Sequence, residues 1–151
     1  MKSLMDLMDN NRLAGSDRLP GKRVLLVDDE RLILESVGLL LRQDHYTVVE
    51  ANNGMEALQL FGRSRFDLVM TDFEIPFLRG DELASKIKHV APLQPILMIT
   101  GHGKRPGRNN PVDAVLNKPI RIDELRSTIA MLLHRVQTSD TAPELGAYFR
   151  A

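Results

Sequence analysis

Apolar residues fall along this chain in two rhythms. Short unbroken runs alternate with longer stretches in which apolar positions recur every three or four residues. The first run, Val24 to Val27 in "KRVLLVDDE", predicts a buried strand. "RLILESVGLLLRQD" then predicts a helix, with Leu32, Ile33, Val37, Leu40 and Leu41 on its apolar stripe. "YTVVEA" predicts a strand, and "NNGMEALQLFGRSR" a helix with Asn52 or Asn53 near its N-cap. "FDLVMTD" predicts a third strand. "GDELASKIKHV" predicts a helix with Asp81 and Glu82 in its first turn, where the helix dipole favours anions. "PILMIT" and "DAVLN" predict two more strands, and "IDELRSTIAMLLHRV" a final helix capped by Asp123. Strands alternating with helices in this way imply βαβ units and a parallel sheet covered on both faces, with right-handed crossovers.

Loop formers crowd the start of the chain: Asn10, Asn11, Gly15, Ser16, Pro20 and Gly21. Residues 1–21 are therefore expected to be a flexible tail, residues 22–136 one compact α/β domain, and residues 137–151 a second tail.

Composition narrows the function. With 43% apolar and 26% charged residues the chain reads as an ordinary globular protein. Twenty basic residues balance twenty acidic ones, so no general field draws nucleic acid or anionic membrane. Cysteine is absent, which excludes disulfides and thiolate metal sites and fits a cytoplasmic protein. No apolar run approaches the roughly 20 residues of a membrane span. The four histidines, His45, His89, His102 and His134, fall in different elements without metal-ligand spacing.

The chemistry gathers at strand ends. Ligands of an open parallel sheet bind beyond the carboxyl ends of its strands. The first strand ends in Asp28 and Asp29, the third in Asp72, the fourth in Thr100, and the fifth in Lys118 before Pro119. All should meet on one edge. Three carboxylates held together repel one another and need a cation, and hard oxygen ligands with open water positions suit Mg²⁺. Asp72 could then attack a phosphoryl group while Lys118 and the Thr100 hydroxyl hold its other oxygens. Glu30 reads as a solvated or capping acid rather than a metal ligand.

Four fragments, "LLVDDE", "DLVMTDFEIP", "ILMITG" and "LNKPI", occur in that order near the expected spacings. Together they resemble the receiver domains of bacterial two-component response regulators over roughly residues 22–136. The resemblance implies a flavodoxin-like, doubly wound, five-stranded parallel sheet of order 2-1-3-4-5. It implies Asp72 as phosphoacceptor, Asp29 as direct Mg²⁺ ligand, Asp28 acting nearby partly through water, and the backbone carbonyl of Glu74 completing the ligand set. Thr100 and Lys118 would contact the phosphoryl group, and the Lys118–Pro119 peptide would be cis. Glu74 and His102 lie two residues beyond Asp72 and Thr100, and the resemblance implies that such positions influence how water reaches the acyl phosphate.

Two features depart from the family pattern. The crossover "GHGKRPGRNNP", residues 101–111, has three glycines, two prolines and no apolar anchor, so its helix should be reduced or absent. The aromatic residue usual three positions before the lysine is replaced by Val115. A subgroup of stand-alone receivers with a Thr-Gly motif after the fourth strand looks similar.

The expectation is a single-domain response regulator, not an enzyme in the turnover sense. A sensor histidine kinase or a histidine phosphotransfer protein would phosphorylate it. It would signal through a downstream protein that the sequence does not name, with no direct nucleic-acid or membrane contact. Rival readings are a receiver belonging to a longer, for example transcriptional, regulator, and a docking module independent of phosphorylation. A basic nucleic-acid contact through Lys104, Arg105 and Arg108 is disfavoured, because no aromatic residue accompanies those charges.

Overall fold

The computed structural model describes residues 21–101 and 111–149, with the side chains of the last helix described as far as residue 135. Five strands form one sheet: β1 (Arg23–Val27), β2 (Thr47–Ala51), β3 (Leu68–Asp72), β4 (Ile96–Thr100) and β5 (Ala114–Asn117). Their order is 2-1-3-4-5, all paired neighbours are parallel, and β1, β3 and β4 lie inside the sheet. The described helices are α1 (Arg31–Gln43), α2 (Gly54–Arg63), α3 (Gly80–Val90) and α4 (Ile122–Phe149). This is the flavodoxin-like arrangement that the sequence implies. The weak crossover expected on residues 101–111 falls, between its two end residues, outside the described residues, as do His102, Lys104, Arg105, Arg108 and the stretch 1–20. Helix α4 runs past residue 136, where the sequence reading ends the domain.

Burial on both sheet faces explains the unbroken runs. Val24 and Leu26 point into one core with Leu34, Val37 and Leu41 of α1 and Leu125, Ile129, Leu132 and Leu133 of α4. Leu25 and Val27 point into the other, with Ala57 of α2 and Leu83, Ala84 and Ile87 of α3. Successive strand residues face opposite ways, so a strand covered on both sides must be apolar throughout. Each fully buried Leu or Ile contributes roughly 1.5–3 kcal/mol of burial free energy.

Two local expectations are corrected. Leu32 is 78% exposed, and Leu34 takes its place on the buried stripe of Leu34, Val37, Gly38 and Leu41. Those positions follow the i, i+3, i+4, i+7 rule, and Leu32 lies two residues, about 200° of helix, away from them. The final helix begins at Ile122, and the Leu125 N–H already donates to the Arg121 carbonyl at 2.9 Å. Asp123 is thus inside the first turn and Arg121 takes the cap position. Of the two asparagines before α2, Asn53 is the cap, accepting from the Glu56 N–H at 2.8 Å, while the Glu56 carboxylate reaches back to the Asn52 N–H at 3.0 Å.

The amino edge of the sheet has its own fastening. Asp113 precedes β5. Its Oδ2 accepts from the Ile96 N–H and from Lys88 Nζ, both at 2.8 Å, and its own N–H donates to the Ile96 carbonyl at 2.9 Å. One residue joins the start of β4, the start of β5 and the last turn of α3.

Candidate functional site

The site lies at the opposite edge, where β1, β3, β4 and β5 end. Parallel pairing fixes its layout. Val27 pairs with Thr71, Asp72 with Ile99, and Thr100 with Asn117. The residues that follow these pairs therefore converge at one height. The Phe73 N–H donates to the Ile99 carbonyl and the Lys118 N–H to the Thr100 carbonyl, each at 2.8 Å, which continues the ladder one step past the strands.

Asp28, Asp29 and Asp72 come together there, each with a carboxylate oxygen within 4.8 Å of the others'. Asp28 and Asp72 are buried, at 1% and 5% exposure, whereas Asp29 is exposed. The cluster therefore opens on the Asp29 side. Such a set suits a hard divalent cation that keeps part of its water shell.

Lys118 reaches over this cluster. Its Nζ lies 3.1 Å from Asp72 Oδ2, 3.7 Å from Glu30 Oε1 and 3.9 Å from Asp28 Oδ2. Thr100, fully buried, ends β4 one register step from Lys118, and its hydroxyl donates to the Gly101 carbonyl at 3.3 Å. The Lys118–Pro119 peptide is cis, as expected.

Burial sets the electrostatics. It pushes the Asp28 carboxyl up to about 6, helped by the neighbouring Asp72 charge and opposed by the Glu30 N–H, which donates to Asp28 Oδ1 at 2.8 Å. Burial raises Asp72 too, against the pull of Lys118 and of the Glu74 backbone N–H. Burial works to lower Lys118, but the carboxylates of Asp72, Asp28 and Glu30 outweigh it and hold the ammonium above its usual range. Buried anions that take up protons this readily are anions short of positive charge. A divalent cation would supply it, so the donor set fits Mg²⁺.

The loop from Phe73 to Arg79 is held by close packing. A β-carbon on Gly54, at the start of α2, would overlap the Leu78 carbonyl oxygen. Phe77 in this loop has φ +69° and is 85% exposed. Arg79 pairs with Asp81 through two 2.7 Å contacts, and its guanidinium stands 5.1 Å over the Phe73 ring. The Arg79 guanidinium holds the Asp81 carboxyl below its usual range.

Sequence reasoning brings Asp28, Asp29, Asp72, Thr100 and Lys118 to this edge, and the structure places all five there. It misses Glu30 as a neighbour of Lys118. The only signal was its place directly after the aspartate pair.

A protein-family model described as the response regulator receiver domain matches residues 24–130. The chain is 34% identical over 131 residues to the response regulator MprA of Mycobacterium leprae, covering 84% of this chain and 58% of that protein. It is 34% identical over 110 residues to the transcriptional regulatory protein GlrR of Escherichia coli, covering 70% of this chain and 25% of that one. The chain thus spans a quarter to somewhat over half of the length of these relatives. Among solved structures it resembles a CheY-like receiver domain protein of Methanospirillum hungatei, with TM-score 0.75 and 28% identity over 79% of this chain and 98% of that one. It also resembles the response regulator TrrA of Thermotoga maritima, solved in complex with Mg²⁺-BeF, with TM-score 0.70 and 32% identity over 74% of this chain and 98% of that one.

Proposed function

The chain belongs to the response regulator receiver domain family, and from that premise we propose that it accepts a phosphoryl group on Asp72 and passes the signal on by phosphorylation-dependent contact with another protein. The observation that carries this reading is Lys118 Nζ at 3.1 Å from Asp72 Oδ2 above three clustered aspartates.

The donor would be a phosphohistidine on a sensor kinase or a histidine phosphotransfer protein. A carboxylate oxygen of Asp72 attacks the phosphorus. The phosphorus–nitrogen bond breaks, its electron pair returns to the imidazole, and an acyl phosphate forms on Asp72. Asp28, Asp29, Asp72 and the Glu74 backbone carbonyl would hold Mg²⁺, which would supply positive charge to the crowded oxygens. Lys118 turns its ammonium from the Asp72 carboxylate to a phosphoryl oxygen, and the Thr100 hydroxyl donates to another. Catalysis here is placement and charge compensation. The domain assists its own modification and does not turn over a separate substrate.

The family match over residues 24–130 supports a receiver unit of residues 22–136, flanked by 1–21 and 137–151. A cytoplasmic, single-domain regulator without nucleic-acid or membrane contact of its own fits the balanced charge. Among the described residues no helix is long and apolar enough to cross a membrane. The relatives favour a second reading, in which the same receiver is the input part of a longer transcriptional regulator, because GlrR extends well beyond the matched region. Both readings keep the chemistry at Asp72.

Mass spectrometry after treatment with a small phosphodonor and Mg²⁺ tests the acceptor. One phosphoryl group should appear on the wild-type chain and none on Asp72→Asn. Stoichiometric labelling of the variant, or equal labelling after thorough metal removal, defeats the reading.

A further inference from the structure

Glu30 occupies the N-cap of α1 without acting as a cap through its side chain. Its backbone does the local work. The N–H donates to Asp28 Oδ1 at 2.8 Å, and the carbonyl accepts from the Ile33 and Leu34 N–H groups at 3.1 Å each. The side chain is left to point elsewhere, and it points at Lys118, with Oε1 3.7 Å from Nζ. It is 62% exposed and stands outside the Asp28–Asp29–Asp72 cluster.

Lys118 therefore faces two kinds of anion. Asp72 holds it from within at hydrogen-bond distance, 3.1 Å, and Glu30 faces it from the solvent side at 3.7 Å. The inner contact already places the ammonium, so Glu30 is not needed to position it in the unmodified protein. What Glu30 adds is a fixed negative charge at the mouth. An incoming phosphoryl group is itself anionic and needs the same ammonium. Its entry meets repulsion from Glu30 and competition for Lys118.

The geometry points to Glu30 as an electrostatic brake on phosphoryl acceptance at Asp72, a negative charge at the mouth that competes for Lys118, an inference that rests on the phosphoacceptor reading above. The pair is partly exposed, so the effect is modest and screened by salt. Because the charge acts on donor entry, it raises the donor concentration needed for half-maximal rate more than it lowers the maximal rate.

The experiment compares the full chain with Glu30→Gln and Glu30→Ala, using acetyl phosphate and saturating Mg²⁺ and following phosphorylation by mass spectrometry. Both variants keep the backbone bonds of the cap. At low ionic strength and subsaturating donor both should be labelled about two- to five-fold faster than wild type. The gain should lie in the half-saturating donor concentration and shrink at high salt, with thermal stability unchanged. A wild-type chain that takes no phosphoryl group overturns the phosphoacceptor reading itself. A wild-type chain that is labelled, beside variants that are no faster, overturns the brake alone. So does a gain confined to the maximal rate and indifferent to salt.

Discussion

A β-carbon on Gly80 would overlap the main-chain carbonyl oxygen of Asp72. The first residue of α3 thus rests directly on the backbone of the proposed phosphoacceptor, and its N–H donates to the Phe73 carbonyl at 2.9 Å. Backbone cannot rotate aside as a side chain can. Gly80→Ala should therefore destabilise the domain by roughly 1–3 kcal/mol and slow phosphorylation as well, because the Asp72 backbone must move. Denaturant unfolding together with phosphodonor labelling checks both. Full stability in that variant contradicts the close packing.

Acid should stabilise the metal-free protein at Asp28. Its folded pKa, about 6, lies above the ordinary 3.8, so the folded state binds protons more readily than the unfolded one. Stability then falls as pH rises through the window from about 4 to about 6, and the full cost, on the order of 3 kcal/mol, remains above it. Asp72 is shifted the same way. Asp28→Asn should raise the melting temperature at pH 7.5 and flatten its fall between pH 4.5 and 7.5. Mg²⁺ should stabilise the wild type more than the variant. Parallel pH profiles for the two proteins would rule the Asp28 contribution out.

Lys118 is the resident cation of an acidic cluster, so its removal should act oppositely on metal and phosphoryl group. Lys118→Met should bind Mg²⁺ about five-fold more tightly, since a competing positive charge is gone. The same variant should be phosphorylated at least about ten-fold more slowly, since the proposed donor to the phosphoryl oxygens is lost. Calorimetric Mg²⁺ titration and labelling kinetics separate the two effects. Loss of both together would mean that Lys118 chiefly holds the site's shape.

Phe77 combines φ +69° with 85% exposure, an uncomfortable backbone for a bulky side chain that buries little. Asparagine tolerates the left-handed region. Phe77→Asn should raise stability by about 0.5–1 kcal/mol in urea unfolding. A fall would show that the ring has packing worth more than the backbone relief.

The parts of this molecule legible in its sequence are those where burial is unambiguous. β1, β3 and β4 are covered on both faces, so Val24–Val27, Leu68–Met70 and Ile96–Ile99 stand out as runs. Asp28, Asp72 and Lys118 were legible because a strand's end is visible as the point where such a run stops. Leu32 was misread because α1 opens with four residues, Arg31 to Leu34, three of them apolar, and composition alone does not say which faces the sheet. Asp123 was misread because caps depend on backbone angles one residue either side of the boundary. Glu30 beside Lys118 was barely legible, its place after the aspartate pair being the only signal. The contact joins residues far apart in sequence and depends on where a side chain turns once its backbone has taken over the capping.

The Asp113 fastening bears on how this fold can vary. The start of β5 is tied to Ile96 and Lys88 by a single carboxylate, and the rest of the strand is tied to β4 by the ladder. The chain that leads from β4 to β5 need only deliver Asp113 to its place, and the entropy cost of a longer tether grows only logarithmically. The β4–β5 register is therefore held by Asp113 and the ladder themselves rather than by the length of the chain between the two strands.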